Sequence, residues 1–182
     1  MIPFRSRRRN PPVKKGGFVL EFIPALDARS VCRIEKLARE IWREYYIPII
    51  GAAQVEYMLE RLQSVPALNS QIRSGFLYYL LKIDGKLSGY CAVLPERHKE
   101  RLFLSKIYLL SSARGKGCGR KTLEFIETLA GPGLNRISLT VNKGNTGAIK
   151  AYLKCGFTIS GTQVTDIGSG FVMDDYLMEK SL

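Results

Sequence analysis

The sequence of 182 residues predicts one α/β domain around a mixed sheet, in the order β-α-α-β-β-β-α-β-α-β-β. Three observations predict it. Apolar or alternating runs of strand length recur along the chain. Amphipathic helical patterns lie between them. Two of the strand-to-helix connections, after 102–110 and after 136–141, are glycine-bearing turns.

The first strand is expected over 17–23, where Pro24 ends it. Asp27 then stands where a helix N-cap belongs. Val31, Ile34, Leu37, Ala38, Ile41, Trp42 and Tyr45 fall on one helical face. Pro48 and Gly51 interrupt that helix. A second helix is read from Val55, Met58, Leu59 and Leu62. The nearly all-apolar stretch 76–83 reads as a buried strand. Asp84-Gly85 makes a two-residue hairpin, and 86–94 is the returning strand. Strand 102–110 leads into a glycine loop and a helix marked by Leu123, Ile126, Leu129 and Ala130. Gly131-Pro132-Gly133 ends that helix. Strand 136–141, helix 145–154 stopped by Gly156, and strands 157–161 and 171–179 complete the chain.

Composition is that of an ordinary globular domain, 46% hydrophobic and 24% charged. No apolar stretch reaches the roughly 18 residues of a membrane span. Net charge is +12, but Arg5, Arg7, Arg8, Arg9, Lys14 and Lys15 crowd into residues 1–15 with no acid. With Pro3, Pro11 and Pro12 this segment reads as a disordered basic tail ahead of a domain over 16–182. No apolar core follows the arginines, so it does not read as a secretory signal. The remaining positive excess suits an anionic ligand; nucleic acid and membrane are not expected as partners. Cys32, Cys91, Cys118 and Cys155 lie far apart with no C-x-x-C spacing, and His98 is the only histidine. A metal site is therefore not expected, and reduced thiols point to the cytoplasm.

Residues 111–121, SSARGKGCGRK, form a basic, glycine-rich turn between strand and helix. Missing side chains let a ligand approach the backbone, and free N–H groups at a helix start favour negative charge. A phosphorylated ligand is the expected occupant, although a basic loop capping an ordinary helix would share this composition. The spacing matches neither a P-loop nor G-x-G-x-x-G, since Arg120 stands where the third glycine belongs. What remains is R-x-x-G-x-G at Arg114, Gly117 and Gly119.

A second segment, 141–157, places Asn145 and Tyr152 two helical turns apart with small Ala148 between them. Something can pack against that face; a core aromatic with a surface hydroxyl is the plainer alternative. Taken together, the two segments resemble the GNAT N-acetyltransferase superfamily. Arg114, Gly117 and Gly119 match its R/Q-x-x-G-x-G/A motif. Asn145, Ala148, Tyr152, Gly156 and Phe157 match N-x-x-A-x-x-x-Y-x-x-x-G-F. The element order fits as well, so a GNAT-like acyl-CoA acyltransferase fold is expected.

The resemblance implies acetyl-CoA, or CoA as product. It implies backbone groups of Ile107, Tyr108 and Leu109 along the pantetheine arm. It places Arg114 at the cofactor and the pyrophosphate on backbone N–H groups of Gly115, Lys116, Gly117, Cys118, Gly119 and Arg120. It also implies Asn145 and Ala148 at the cofactor, and Tyr152 as general acid to the departing thiolate. The implied function is direct attack by an amine of a small molecule or peptide, with the oxyanion near Leu109. A catalytically weak acyl-CoA-binding or sensing module is the alternative. A homodimer is left open.

The base is harder to read. At pH 7, deprotonating a free lysine amine costs about 4.6 kcal/mol and an α-amine about 1 kcal/mol. Family members often carry a carboxylate on the fourth or fifth strand, and neither 102–110 nor 136–141 holds an acid. The candidates are Glu96, Glu100 and the pair Asp174–Asp175, which point to opposite faces of one strand. Asp174 is taken as the expected base. Tyr45, Tyr46 and Tyr57 are candidates for shaping the acceptor pocket.

Overall fold

The structure is a computed structural model and describes residues 13, 14 and 17–182. The expected basic tail lies outside the described residues except at 13 and 14. A two-residue strand β1 (Val13–Lys14) precedes β2 (Val19–Pro24). Helix α1 (Ala28–Tyr45) begins where Asp27 accepts the N–H of Ser30 at 2.7 Å. Helices α2 (Ile47–Ile50), α3 (Ala52–Leu62) and α4 (Val65–Arg73) follow. Then come β3 (Leu77–Ile83), β4 (Lys86–Glu96), β5 (Arg101–Leu109), α5 (Cys118–Thr128), β6 (Arg136–Asn142), α6 (Thr146–Lys154), β7 (Thr158–Gly168) and β8 (Phe171–Ser181).

The expected elements all form, and two more helices appear. Pro48 and Pro66 lie in the first turns of α2 and α4, where a missing N–H costs nothing. Both segments lack a strong apolar stripe: α4 buries only Leu68. The last hairpin is also longer than the runs 157–161 and 171–179 suggest. Strand β7 is an edge strand exposed over most of its length, so it shows little apolar alternation. At the β3–β4 hairpin, Asp84 and Gly85 adopt φ of 49° and 77°, as a tight mirror-image turn requires.

The sheet order is β1-β2-β3-β4-β5-β6-β8-β7, with β5–β6 the single parallel pair among the described strands. Helices α1, α3 and α4 pack on one face through Ile34, Leu37, Ile41, Val55, Leu59 and Leu68. Helix α5 packs on the other through Leu123, Phe125 and Ile126. The Phe125 ring stacks on Phe22 at 3.8 Å. Burying both faces explains why β3, β4 and β5 read as near-continuous apolar runs.

One irregularity opens the cleft. Strand β4 pairs Ala92 with Lys106 and Val93 with Leu104, so Ser105 is an extra, bulged residue. The β5–β6 pairing stops at Leu104–Leu139. Beyond that point β5 runs with β4, β6 runs with β8, and the sheet splits. The bulge also switches the faces. Leu102 and Leu104 join the core under α5, whereas Tyr108 packs toward α1.

Gly89 holds this splayed stretch close to β4. A Cβ there would collide with the carbonyl oxygen of Tyr108 and meet Leu109 Cδ2 at 2.9 Å. We expect Gly89→Ala to cost about 1–3 kcal/mol, lowering the thermal midpoint by several degrees. A midpoint equal to wild type would show that the two strands part without cost.

Candidate active site

Two chambers meet in the split. The first, of about 570 Å³, runs from the glycine loop along β5 to α6. The second, of about 440 Å³, lies under α1 and the α3–α4 corner and reaches β6 and β8. Tyr46, Ile107, Tyr108, Asn145, Ala148 and Tyr152 line both, so they form the junction.

The glycine loop is built as an open cradle. Gly115 and Gly117 have φ of 72° and 82°, and a Cβ added at Gly115, Gly117 or Gly119 would meet nothing within 4 Å. Helix α5 starts on Gly117 with no side-chain cap and no acid in its first turn. Among the described residues, no carbonyl accepts from the N–H groups of Gly115 to Arg120. Such a row of N–H groups without carbonyl partners at a helix start has the geometry to receive an anion. Lys116 is exposed and Cys118 is buried, and neither lines the first chamber. Arg120 lines the chamber while pairing with Glu124 at 2.9 Å.

Arg114 braces this region. Its Nε donates to the carbonyl of Leu109 at 2.9 Å, and its Nη1 pairs with Glu44 at 3.3 Å. The guanidinium lies 4.6 Å from the Tyr45 ring centre. Its Nη2 is buried without a hydrogen-bond partner, which leaves one donor for a ligand in the first chamber.

Asn145 is 4% exposed and caps α6. Its Oδ1 accepts from Ala148 N at 3.1 Å and the Tyr45 hydroxyl at 2.9 Å, and its Nδ2 donates to the Tyr46 hydroxyl at 3.1 Å. This amide thus links α6 to α1. Burial pushes the Tyr46 phenol up to about 12, opposed by the Asn145 hydrogen bond. Tyr152 packs edge-on against Phe157 at 5.5 Å, and no hydrogen bond holds its hydroxyl among the described residues. Burial, with Tyr46 and Cys155 nearby, raises its phenol well above the ordinary value of 10.

The acids divide sharply. Glu96 is ion-paired to Arg101 at 2.6 Å and Lys99 at 2.8 Å, which hold it below the usual carboxylate range against burial. Glu100 accepts from Asn135, and neither acid lines a chamber. Asp174, the expected base, is ion-paired to Lys143 and lines neither chamber. Its neighbour Asp175 takes the inward face by strand alternation. Asp175 is 8% exposed, lines the second chamber, and is raised above the usual range by burial and by Asp174. Tyr46 lines both chambers and Tyr45 the first, whereas Tyr57 lines neither and donates to the Ile167 carbonyl.

Lys106, Gln63 and Gln71 also line the second chamber, and the sequence reading passed over them. A lysine inside the apolar run 102–110 was the available signal, because ionisable groups are rare in buried strands. Among the described residues no cluster of His, Cys, Asp or Glu could hold a metal ion, and no helix is long and apolar enough to cross a membrane.

A family model described as Acetyltransferase (GNAT) family matches residues 34–157, which include both motifs and most of the two chambers. The chain belongs to the GNAT family. An uncharacterized N-acetyltransferase of Mycobacterium tuberculosis is 35% identical to this GNAT chain over 100 residues, 54% of this chain and 63% of the relative. The chain therefore spans less than two thirds of that relative's length. The peptidyl-lysine N-acetyltransferase YjaB of Salmonella typhimurium is 35% identical over 80 residues, 43% of this chain and 49% of that protein. In fold, this GNAT domain is similar to the PaiA N-acetyltransferase of Thermoplasma acidophilum solved with coenzyme A. That match has a TM-score of 0.72 and 22% identity over 92% of this chain and all of that one. A GCN5-related N-acetyltransferase of Rhodopseudomonas palustris superposes with a TM-score of 0.74 and 14% identity, covering 97% and 99%.

Proposed function

We propose that this GNAT protein transfers an acetyl group from acetyl-CoA to an amine. Tyr152 serves the departing sulfur, and Asp175 receives the proton of the amine. The observation that carries the proposal is the junction itself: a phosphate-ready chamber and a second chamber open onto each other beside Tyr152.

The residues fit the donor. The free N–H groups from Gly115 to Arg120 and the orphaned Arg114 Nη2 offer donors to the pyrophosphate. The edge of β5 past Leu104 has no strand on its β6 side, so backbone groups of residues 105–109 are available to an extended arm. The bound thioester supplies an acyl carbon already activated for attack. The protein positions the amine on the Asp175 side and offers the Tyr152 hydroxyl from the junction. Because that phenol is pushed upward, it stays protonated across the working range and acts first as a hydrogen-bond donor to the developing thiolate. The relatives' names point to peptidyl lysine, a ribosomal protein α-amine and spermidine, so the fold alone does not choose the acceptor.

Thermal unfolding with acetyl-CoA, CoA, ATP and NAD in parallel tests the donor. At a hundred times its Kd, a ligand stabilises by about 2.7 kcal/mol, which in a domain of this size moves the midpoint by about 5–10 °C. We expect that shift with acetyl-CoA and CoA alone. No shift with either rejects the proposal. A shift without CoA release across an amine panel selects the binding or sensing module.

A further inference from the structure

The second chamber contains a buried cation that the chemistry above does not use. The Ser105 bulge turns Lys106 away from the face of Leu102 and Leu104 and toward the α3–α4 corner. Small Ala92, its partner on β4, leaves space for the long side chain. Lys106 is 6% exposed. Its Nζ, with three N–H groups, lies within hydrogen-bond distance of four acceptors: the Tyr78 hydroxyl, Gln71 Oε1 at 2.9 Å, and Gln63 Oε1 and the Leu62 carbonyl at 3.2 Å each. Every one of these partners is formally neutral. Among the described residues no carboxylate pairs with this ammonium, whereas most other buried charges in proteins are paired.

The chamber has two charged side chains among the residues that line it, Lys106 and Asp175. They stand on β5 and β8, on opposite sides of β6. Around Lys106 lie further donors. The Gln63 side chain is 2% exposed and lines the chamber, and its Nε2 makes no hydrogen bond among the described residues. The Trp42 Nε1 is buried beside the Tyr90 hydroxyl without a hydrogen bond of good geometry. Tyr90 in turn donates to Gln63 Oε1 at 3.1 Å. This end of the chamber offers N–H donors and positive charge, and the Asp175 end offers negative charge.

We infer that the acceptor carries a carboxylate as well as its amine: Lys106, with Gln63, draws the carboxylate, while Asp175 faces the amine. This assignment rests on the acetyltransferase reading and names its substrate class, an amino acid or a related amino carboxylate. A polyamine would instead bring a second positive charge against an unpaired buried ammonium. Burial holds Lys106 down to about 7, far below an ordinary lysine. An entering carboxylate therefore recovers part of what the empty site loses to desolvation. The other titratable groups facing the ammonium are Tyr78 on β3 and, through Gln63, Tyr90 on β4; burial raises both, so they stay neutral. Carboxylate affinity is then greatest at acid pH and falls as Lys106 loses its proton through about pH 7.

The test compares the twenty amino acids with their carboxamides, plus spermidine, on the protein saturated with acetyl-CoA. CoA release is one readout, and the midpoint shift of the protein–CoA complex is the other. The amine of a carboxamide is the less basic, so chemistry alone favours the amide. We expect at least one amino acid to exceed its amide by tenfold or more in kcat/KM, with KM rising above pH 7. In Lys106→Met and Lys106→Gln the acid-to-amide ratio falls to one or below, and the CoA-induced midpoint shift reports whether each variant is folded. Amides or spermidine used as well as the acids, a ratio that survives in both variants, or no binding of any acid to the CoA complex overturns the assignment. Absence of the CoA shift itself rejects the acetyltransferase reading instead.

Discussion

Tyr152→Phe is expected to retain CoA affinity within about twofold and to lose turnover by about a hundredfold or more, the scale of a lost proton donor. The ring keeps its edge-on packing against Phe157, and its hydroxyl has no internal hydrogen bond to sacrifice, so the fold is spared. What disappears is the donor at the junction of the two chambers. The upward shift of this phenol adds a second expectation: no basic limb attributable to Tyr152 appears below about pH 10. Steady-state kcat beside a CoA binding isotherm separates the two effects. Equal turnover in the two proteins would remove Tyr152 from the reaction and leave the sulfur to solvent.

Asp175→Asn is expected to lower kcat/KM at neutral pH by about a hundredfold. Burial and the neighbouring charge of Asp174 raise the carboxyl, outweighing Lys143, so it ionises later than an ordinary aspartate. Activity is therefore present above the raised value and lost as pH falls through it. In the Asn variant that limb vanishes, and kcat instead climbs about tenfold per pH unit as the bound amine loses its own proton. The deficit narrows toward high pH. Asp174→Asn, on the outward face with Lys143, serves as the comparison. A profile for Asp175→Asn parallel to wild type would assign proton removal to solvent.

Much of this architecture was legible because it rests on local rules. Asp27 as a cap, the Asp84-Gly85 turn, the apolar stripe of α1 and the glycines before α5 each act within a few residues. The helices at Ile47–Ile50 and Val65–Arg73 were missed for a physical reason. Each is short, carries a proline in its first turn and is held by its neighbours rather than by its own stripe. The length of β7 was missed because an exposed edge strand has no buried face to impose alternation.

The site divides along the same line. Local sequence was enough for the family motifs, the open cradle from Gly115 to Gly119, and the helical alignment of Asn145 with Tyr152. Backbone conformation and helical periodicity at those places follow from nearby residues. Which aspartate faces the chamber, where β5 leaves β6, and that Lys106 lies across Ala92 beside Tyr78 and Gln71 were decided by tertiary structure alone. A single bulged residue, Ser105, exchanges the two faces of a strand, and its place is set by pairing with β4 rather than by anything in the run 102–110.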